Sequence, residues 1–178
     1  MIGKDELSEV DQYAVTNIEC RVRGLIGHYG STEDDREDLV QQLFLEYLER
    51  IGDYSKSIAK LKDMNGGPLP EDLWTQNFRR IADVIVARLD SAATAFINAD
   101  EELARNVLVN HKQVSADCKS VIERLIEDES VTSRQTVVYT LMSRYLKRVN
   151  AHTSNIITTV SNPFHLVGRK YYEFEDDE

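Results

Sequence analysis

The feature that most limits how this chain can fold is a helix written twice. Residues 47–60 read YLERIGDYSKSIAK, and 98 residues further on, residues 145–158 read YLKRVNAHTSNIIT. The apolar letters keep their spacing between the copies while the charged letters change. In the first copy Val40, Phe44, Tyr47, Ile51, Tyr54, Ile58 and Leu61 advance by four and three residues in turn, and Leu43 and Leu48 widen the stripe. That rhythm keeps one face of a helix apolar and seats it as the seam of a bundle. Shifting the first six positions by 98 lands on Val138, Met142, Tyr145, Val149, His152 and Ile156, so a second helix presents the same seam. The two segments are copies of one structural unit.

Three further stripes have the same period. Leu7, Val10, Ala14, Ile18, Val22 and Leu25 predict a helix over 4–29. Trp74, Phe78, Ile81, Ile85, Leu89, Ala92 and Phe96 predict one over 71–97. Leu103, Val107, His111, Val114, Cys118, Val121 and Leu125 predict one over 100–128. With the copies at 33–63 and 131–160 the reading is an all-α antiparallel bundle of about five helices, its three prolines confined to 68, 70 and 163. Thr32 ahead of Asp35 places acid in a first turn, and Thr132 with Gln135 has the spacing of a capping box. The chain divides into a two-helix front unit over 1–63, a linker MNGGPLP over 64–70, a three-helix back unit over 71–162 and an acidic tail over 163–178. The front counterpart of helix 71–97 would fall upstream of Met1. A two-helix front unit leaves an apolar groove, and such grooves mark interfaces, so a homodimer or another covering partner is expected.

Composition removes several function classes. Lys and Arg number 21 against 31 Asp and Glu, a net charge of -10 that repels phosphate backbones and anionic lipid. No basic run suggests a nucleic-acid patch. No apolar stretch approaches the roughly 20 residues that span a bilayer, and the opening MIGKDELSEVDQ has no apolar signal core, so a cytoplasmic protein without membrane insertion is expected. Cys20 and Cys118 lie one repeat apart with no second thiol near either, as expected of reduced, buried helix residues.

The stretch YLERIGDYSKSIAK closely resembles the signature of the PhoU family, in which a helix of this kind closes each of two tandem three-helix repeats. SRYLKRVNAHTSNI resembles it in frame. By this resemblance, residues 4–63 correspond to the last two helices of a first repeat that is incomplete here, and 71–160 to a whole second repeat. The resemblance implies a non-enzymatic cytoplasmic regulator of phosphate uptake, generally dimeric, that contacts phosphate transporter subunits or a sensor kinase. Some members carry metal clusters on acidic E/D-x-x-x-D motifs. Glu49 and Asp53 keep that acidic pair in the first copy, whereas Lys147 and Ala151 replace it in the second. The family's D-x-x-V-D motif is replaced by HKQVS at 111–115 and YAVTN at 13–17, which argues against a multinuclear metal centre in the back unit.

Glu49 and Asp53 are therefore the candidate metal ligands, for a divalent or transition metal; no cofactor is otherwise implied. Their i, i+4 spacing puts both carboxylates on one face, opposite the apolar stripe. Two donors are few for a hard cation that wants about six or more oxygens, so a solvated acidic face is the plainer reading. His111 and His152 fall on the stripes of neighbouring helices, where they could face one another as packed core imidazoles. His28 suits a helix C-terminus, and His165 lies in the irregular tail. Arg79, Arg80 and Arg88 read as ordinary solvated charges. No Glu-x-x-His pair, His-Glu-x-x-His or Gly-rich phosphate loop is present, and Ser57 to Lys60 matches Ser-x-x-Lys only as any amphipathic helix can. The alternatives to the regulator are a metal- or phosphate-binding sensor on the same fold and an oligomerisation scaffold for a separate DNA-binding regulator.

Overall fold

A computed structural model describes residues 35–161, with side chains over 42–160. The expected helix over 4–29, the start at Thr32, Cys20, His28, His165 and the acidic tail lie outside the described residues. Within them the order is α1 (Asp35–Ala59), α2 (Leu61–Asn65), α3 (Leu73–Asn98), α4 (Glu101–Val109), α5 (His111–Glu127) and α6 (Ser133–Ser161). No strand occurs among the described residues. The all-α bundle expected from the periodicity is what forms.

Two of the expected helices are interrupted. The helix over 33–63 breaks at Lys60, and the helix over 100–128 breaks at Asn110, both of which stay near the helical region at φ -76°, ψ -12° and φ -74°, ψ -8°. At Asn110 the side-chain amide donates back to the Asn106 carbonyl at 3.4 Å, a local bond that competes with the regular ladder. The ends are otherwise well capped. Thr132 Oγ1 accepts from Gln135 N at 3.3 Å while Gln135 Oε1 accepts from Thr132 N at 3.2 Å, the reciprocal box expected from the sequence. A second box opens α3, where Asp72 Oδ1 accepts from Thr75 N at 2.8 Å and Thr75 Oγ1 accepts from Asp72 N at 3.1 Å. Asp72 also receives the phenol of Tyr139 on α6 at 2.6 Å, so one carboxylate caps α3 and ties it to α6.

Helix α6 touches each of the other five helices, and α1 lies along it. The packing of the two copies shows the repeat in space. Tyr47 meets His152 and Tyr54 meets Tyr145, each pair with ring centroids 5.9 Å apart. Under the 98-residue shift these two contacts are the same contact. Tyr54 and His152, which the shift interchanges, stack on each other at 5.7 Å. Thus α1 and α6 run antiparallel about a local pseudo-twofold axis through that pair.

The seam of α1 is closed within the chain. Phe44 and Ile51 are 0% exposed and Ile58 is 3% exposed, and Phe44 stacks on Phe96 of α3 at 4.3 Å. Burial of each such side chain contributes roughly 1.5–3 kcal/mol. The groove anticipated in the front unit is therefore filled along α1 by α6 and α3, in one core that runs from Phe44 to Ile156. A smaller cluster of Ala92, Ala95, Ala104, Val107 and Ile157 draws α3, α4 and α6 together, because alanines allow close backbone approach.

Candidate functional site

The C-terminal half of α6 has no Asp, Glu, Lys or Arg after Arg148, and it is buried on more than its apolar seam. Asn150, Thr153, Ser154 and Thr158 are all inside. Their polar atoms turn first to their own helix: Thr153 Oγ1 donates to the Val149 carbonyl at 2.9 Å and Thr158 Oγ1 to the Asn155 carbonyl at 2.6 Å. Asn150 and Ser154, one turn apart, also face α5, although Ser154 Oγ lies within donating distance of the Asn150 carbonyl at 3.2 Å as well. Asn150 Nδ2 donates to the His111 carbonyl and to Ser115 Oγ, both at 3.3 Å. It also lies 3.1 Å from His111 Nδ1, and Ser154 Oγ lies 2.9 Å from the same nitrogen. An amide nitrogen only donates, so Nδ1 is the acceptor there.

Arg88 of α3 completes this polar seam. Its Nη2 donates to the Val107 carbonyl at 2.7 Å and to Ser154 Oγ at 3.1 Å. Val107 sits in the last turn of α4, where carbonyls lack helical partners, so the guanidinium caps that end. The reading of Arg88 as a solvated charge is overturned: it is 5% exposed. Burial lowers its pKa to about 10, which leaves it cationic at neutral pH. Nε and Nη1 are shielded from water and have no hydrogen-bond partner among the described residues. An unpaired buried cation is costly, by several kcal/mol. The sequence did hold a signal for this, since Arg88 falls between Ile85 and Leu89 on the apolar stripe rather than opposite it.

Beside Arg88 a cavity of about 410 Å³ opens between α3, α4 and α5. Val84, Leu103, Val107 and Val114 give it apolar walls, with Arg88 on one side and Asp117 of α5 on another. Gln113 Nε2 donates to Asp117 Oδ1 at 2.8 Å.

The other sequence candidates are dispersed. Glu49 and Asp53 are exposed on the outer face of α1, and Asp53 Oδ1 lies 3.6 Å from Lys56 Nζ. Among the described residues no group of three or more His, Cys, Asp or Glu is placed to hold a metal ion. His111 and His152 do not face one another. His111 binds the Asn150 and Ser154 side of α6, whereas His152 is turned to Tyr47 and Tyr54 of α1, because residues 150 and 152 lie about 200° apart around a helix. Arg79 pairs with Glu71, and Arg80 is exposed as expected. The buried Cys118 thiol has its pKa pushed up to about 11 by burial, which makes it unreactive.

These observations define a class: an all-α bundle assembled around a duplicated helix, with a polar seam inside the second copy. Residues 78–160 match the PhoU domain family, which takes in most of α3 and nearly all that follows it among the described residues. That match takes in the second copy of the repeated helix and supports the resemblance read from the sequence there. The chain is also similar to a protein of Xylella fastidiosa (strain Temecula1) named phosphate-specific transport system accessory protein PhoU homolog. The two are 26% identical over 120 residues, 64% of this chain and 48% of the relative. The chain thus spans about half the length of that curated relative. No solved structure matches it.

Proposed function

We propose that this protein is a PhoU-like regulator of phosphate uptake that acts through protein contacts and catalyses no reaction itself. The observation that carries the reading is the PhoU domain over 78–160, supported by a relative whose name places it with a phosphate-specific transport system. The contacts proposed are with phosphate transporter subunits or a sensor kinase on the cytoplasmic side, made by a homodimer. No helix among the described residues is long and apolar enough to cross a membrane.

The exposed faces of the repeated helix suit distinct partners. On α1 the exposed positions include Glu46, Glu49 and Asp53; at the equivalents of the first two, α6 exposes Arg144 and Lys147, followed by Arg148. A basic strip on an acidic protein is a specific dock for an acidic partner surface.

Affinity purification of the full-length protein from its own cells, in high and low phosphate, tests this. Recovery of transporter subunits or a sensor kinase in a phosphate-dependent manner, lost when Arg144, Lys147 and Arg148 are changed to Glu, is the expected result. Recovery of only the protein itself, or of a DNA-binding regulator, would transfer the assignment to an oligomerisation scaffold. The accompanying proposal for Glu49 and Asp53 is a weakly held divalent cation. Calorimetric titration with Mg²⁺ and Mn²⁺ should then show heat that Glu49→Ala removes, and the absence of any heat would retire it.

A further inference from the structure

We propose that the cavity between α3, α4 and α5 binds a small organic monocarboxylate with an apolar body, and that Arg88 is its counter-ion. This goes beyond the regulator reading and stands on different residues from the α6 strip.

The size and lining of the cavity set the ligand. About 410 Å³ lies within the range of small-molecule sites, and its walls of Val84, Leu103, Val107 and Val114 favour an apolar body. Arg88, 5% exposed, borders it with a positive charge that no acidic side chain pairs within the described residues. Nη2 is already committed to the Val107 carbonyl and Ser154, while Nε and Nη1 have no partner. The two free nitrogens are shielded from water, on a residue that lines the cavity. A rotation of the guanidinium toward the cavity brings them to a bound carboxylate, which supplies the charge and the acceptors they lack.

Charge and polarity exclude the nearest competitors. Inorganic phosphate has no apolar body to fill the space between Val84, Leu103, Val107 and Val114, although Ser91, Asn106 and Asn110 on the lining could donate to its oxygens. Asp117 on the same cavity, held by Gln113, opposes a second negative charge and so favours a monoanion over a dianion. A neutral apolar molecule would fill the space and leave the Arg88 charge unpaired.

Saturation-transfer NMR and thermal melting of the full-length protein with benzoate, hexanoate, benzamide and inorganic phosphate test this. Benzoate or hexanoate should bind and raise the melting temperature, whereas benzamide and phosphate should not. Arg88→Met should weaken carboxylate binding by about tenfold or more, the loss expected for a charge-assisted hydrogen bond. Val84→Trp, at a position 43% exposed on the cavity rim, should block binding while leaving the fold intact. Absence of carboxylate binding, equal binding of benzamide or phosphate, or binding that survives Arg88→Met or Val84→Trp would overturn the proposal. If Arg88→Met fails to fold, Val84→Trp alone decides. Partner capture through the α6 strip does not depend on this cavity, so either proposal can fail without the other.

Discussion

Helices α1 and α6 are copies in sequence and opposites in setting. Their seams are equivalent residue for residue: Phe44 and Met142, Ile51 and Val149, and Ile58 and Ile156 are all buried. Away from the seam they part. Lys56 of α1 is 67% exposed beside Asp53, while Ser154, its equivalent on α6, is 7% exposed and bonded to Arg88. Lys60 is exposed and its equivalent Thr158 is buried; half-buried Gly52 corresponds to fully buried Asn150. The cause is the number of neighbours. Among the described residues helix α1 packs chiefly along α6, whereas α6 is also covered by α3, α4 and α5. Duplication conserved the face that both copies need. The faces that diverged are of two kinds: one stayed in water and exchanged acids for bases, and one was covered and exchanged lysines for small hydrogen-bonding residues.

Exchanging equivalent residues between the copies should break this contrast most severely at Ser154. Ser154→Lys puts a second cation beside the Arg88 guanidinium and should cost roughly 3–5 kcal/mol, read as a lower urea midpoint with an unchanged slope. The shared seam predicts the next effect. Ile58→Ala and Ile156→Ala delete the same atoms from equivalent buried positions, and each should cost roughly 2–5 kcal/mol in the same urea experiment. A loss under about 1 kcal/mol at either site would mean that the copies are not equivalently packed.

The pair on the pseudo-twofold axis gives a smaller, pH-dependent test. Burial, then Arg148 and Arg50, lower the His152 pKa, and Glu46 opposes them only weakly. The unfolded chain therefore takes up the imidazole proton more readily than the folded one. The stability contribution is whole above the unfolded pKa of about 6.5 and declines as pH falls below it. His152→Tyr, which makes the pair two tyrosines, should flatten the fall in stability between about pH 7 and 5. The smallest effect belongs to the reverse exchange: Lys56→Ser on α1 should change stability by no more than about 0.5 kcal/mol, since it loses only an exposed ion pair.

The sequence by itself determined the all-α class, the equivalence of the two seams and the box at Thr132 and Gln135. Each of these is written in local spacing: a helix period of apolar residues, or a cap three residues from its partner, means the same thing wherever the helix is placed. The Asp72 to Thr75 cap is equally local, but Thr stands in place of the usual acid or amide, so the spacing alone does not mark it as a box. Tertiary structure decided the rest. Whether Arg88 meets water depends on α4 ending its helix against that side chain. Whether His111 and His152 meet depends on which helices flank α6. One clue did lie in the chain, the run from Val149 to Val160 without a charge, which marks a helix covered on several sides. It shows that neighbours exist but not which ones they are. A helix displays its own faces in its sequence; the partner that covers each face is chosen by contacts between residues far apart in the chain.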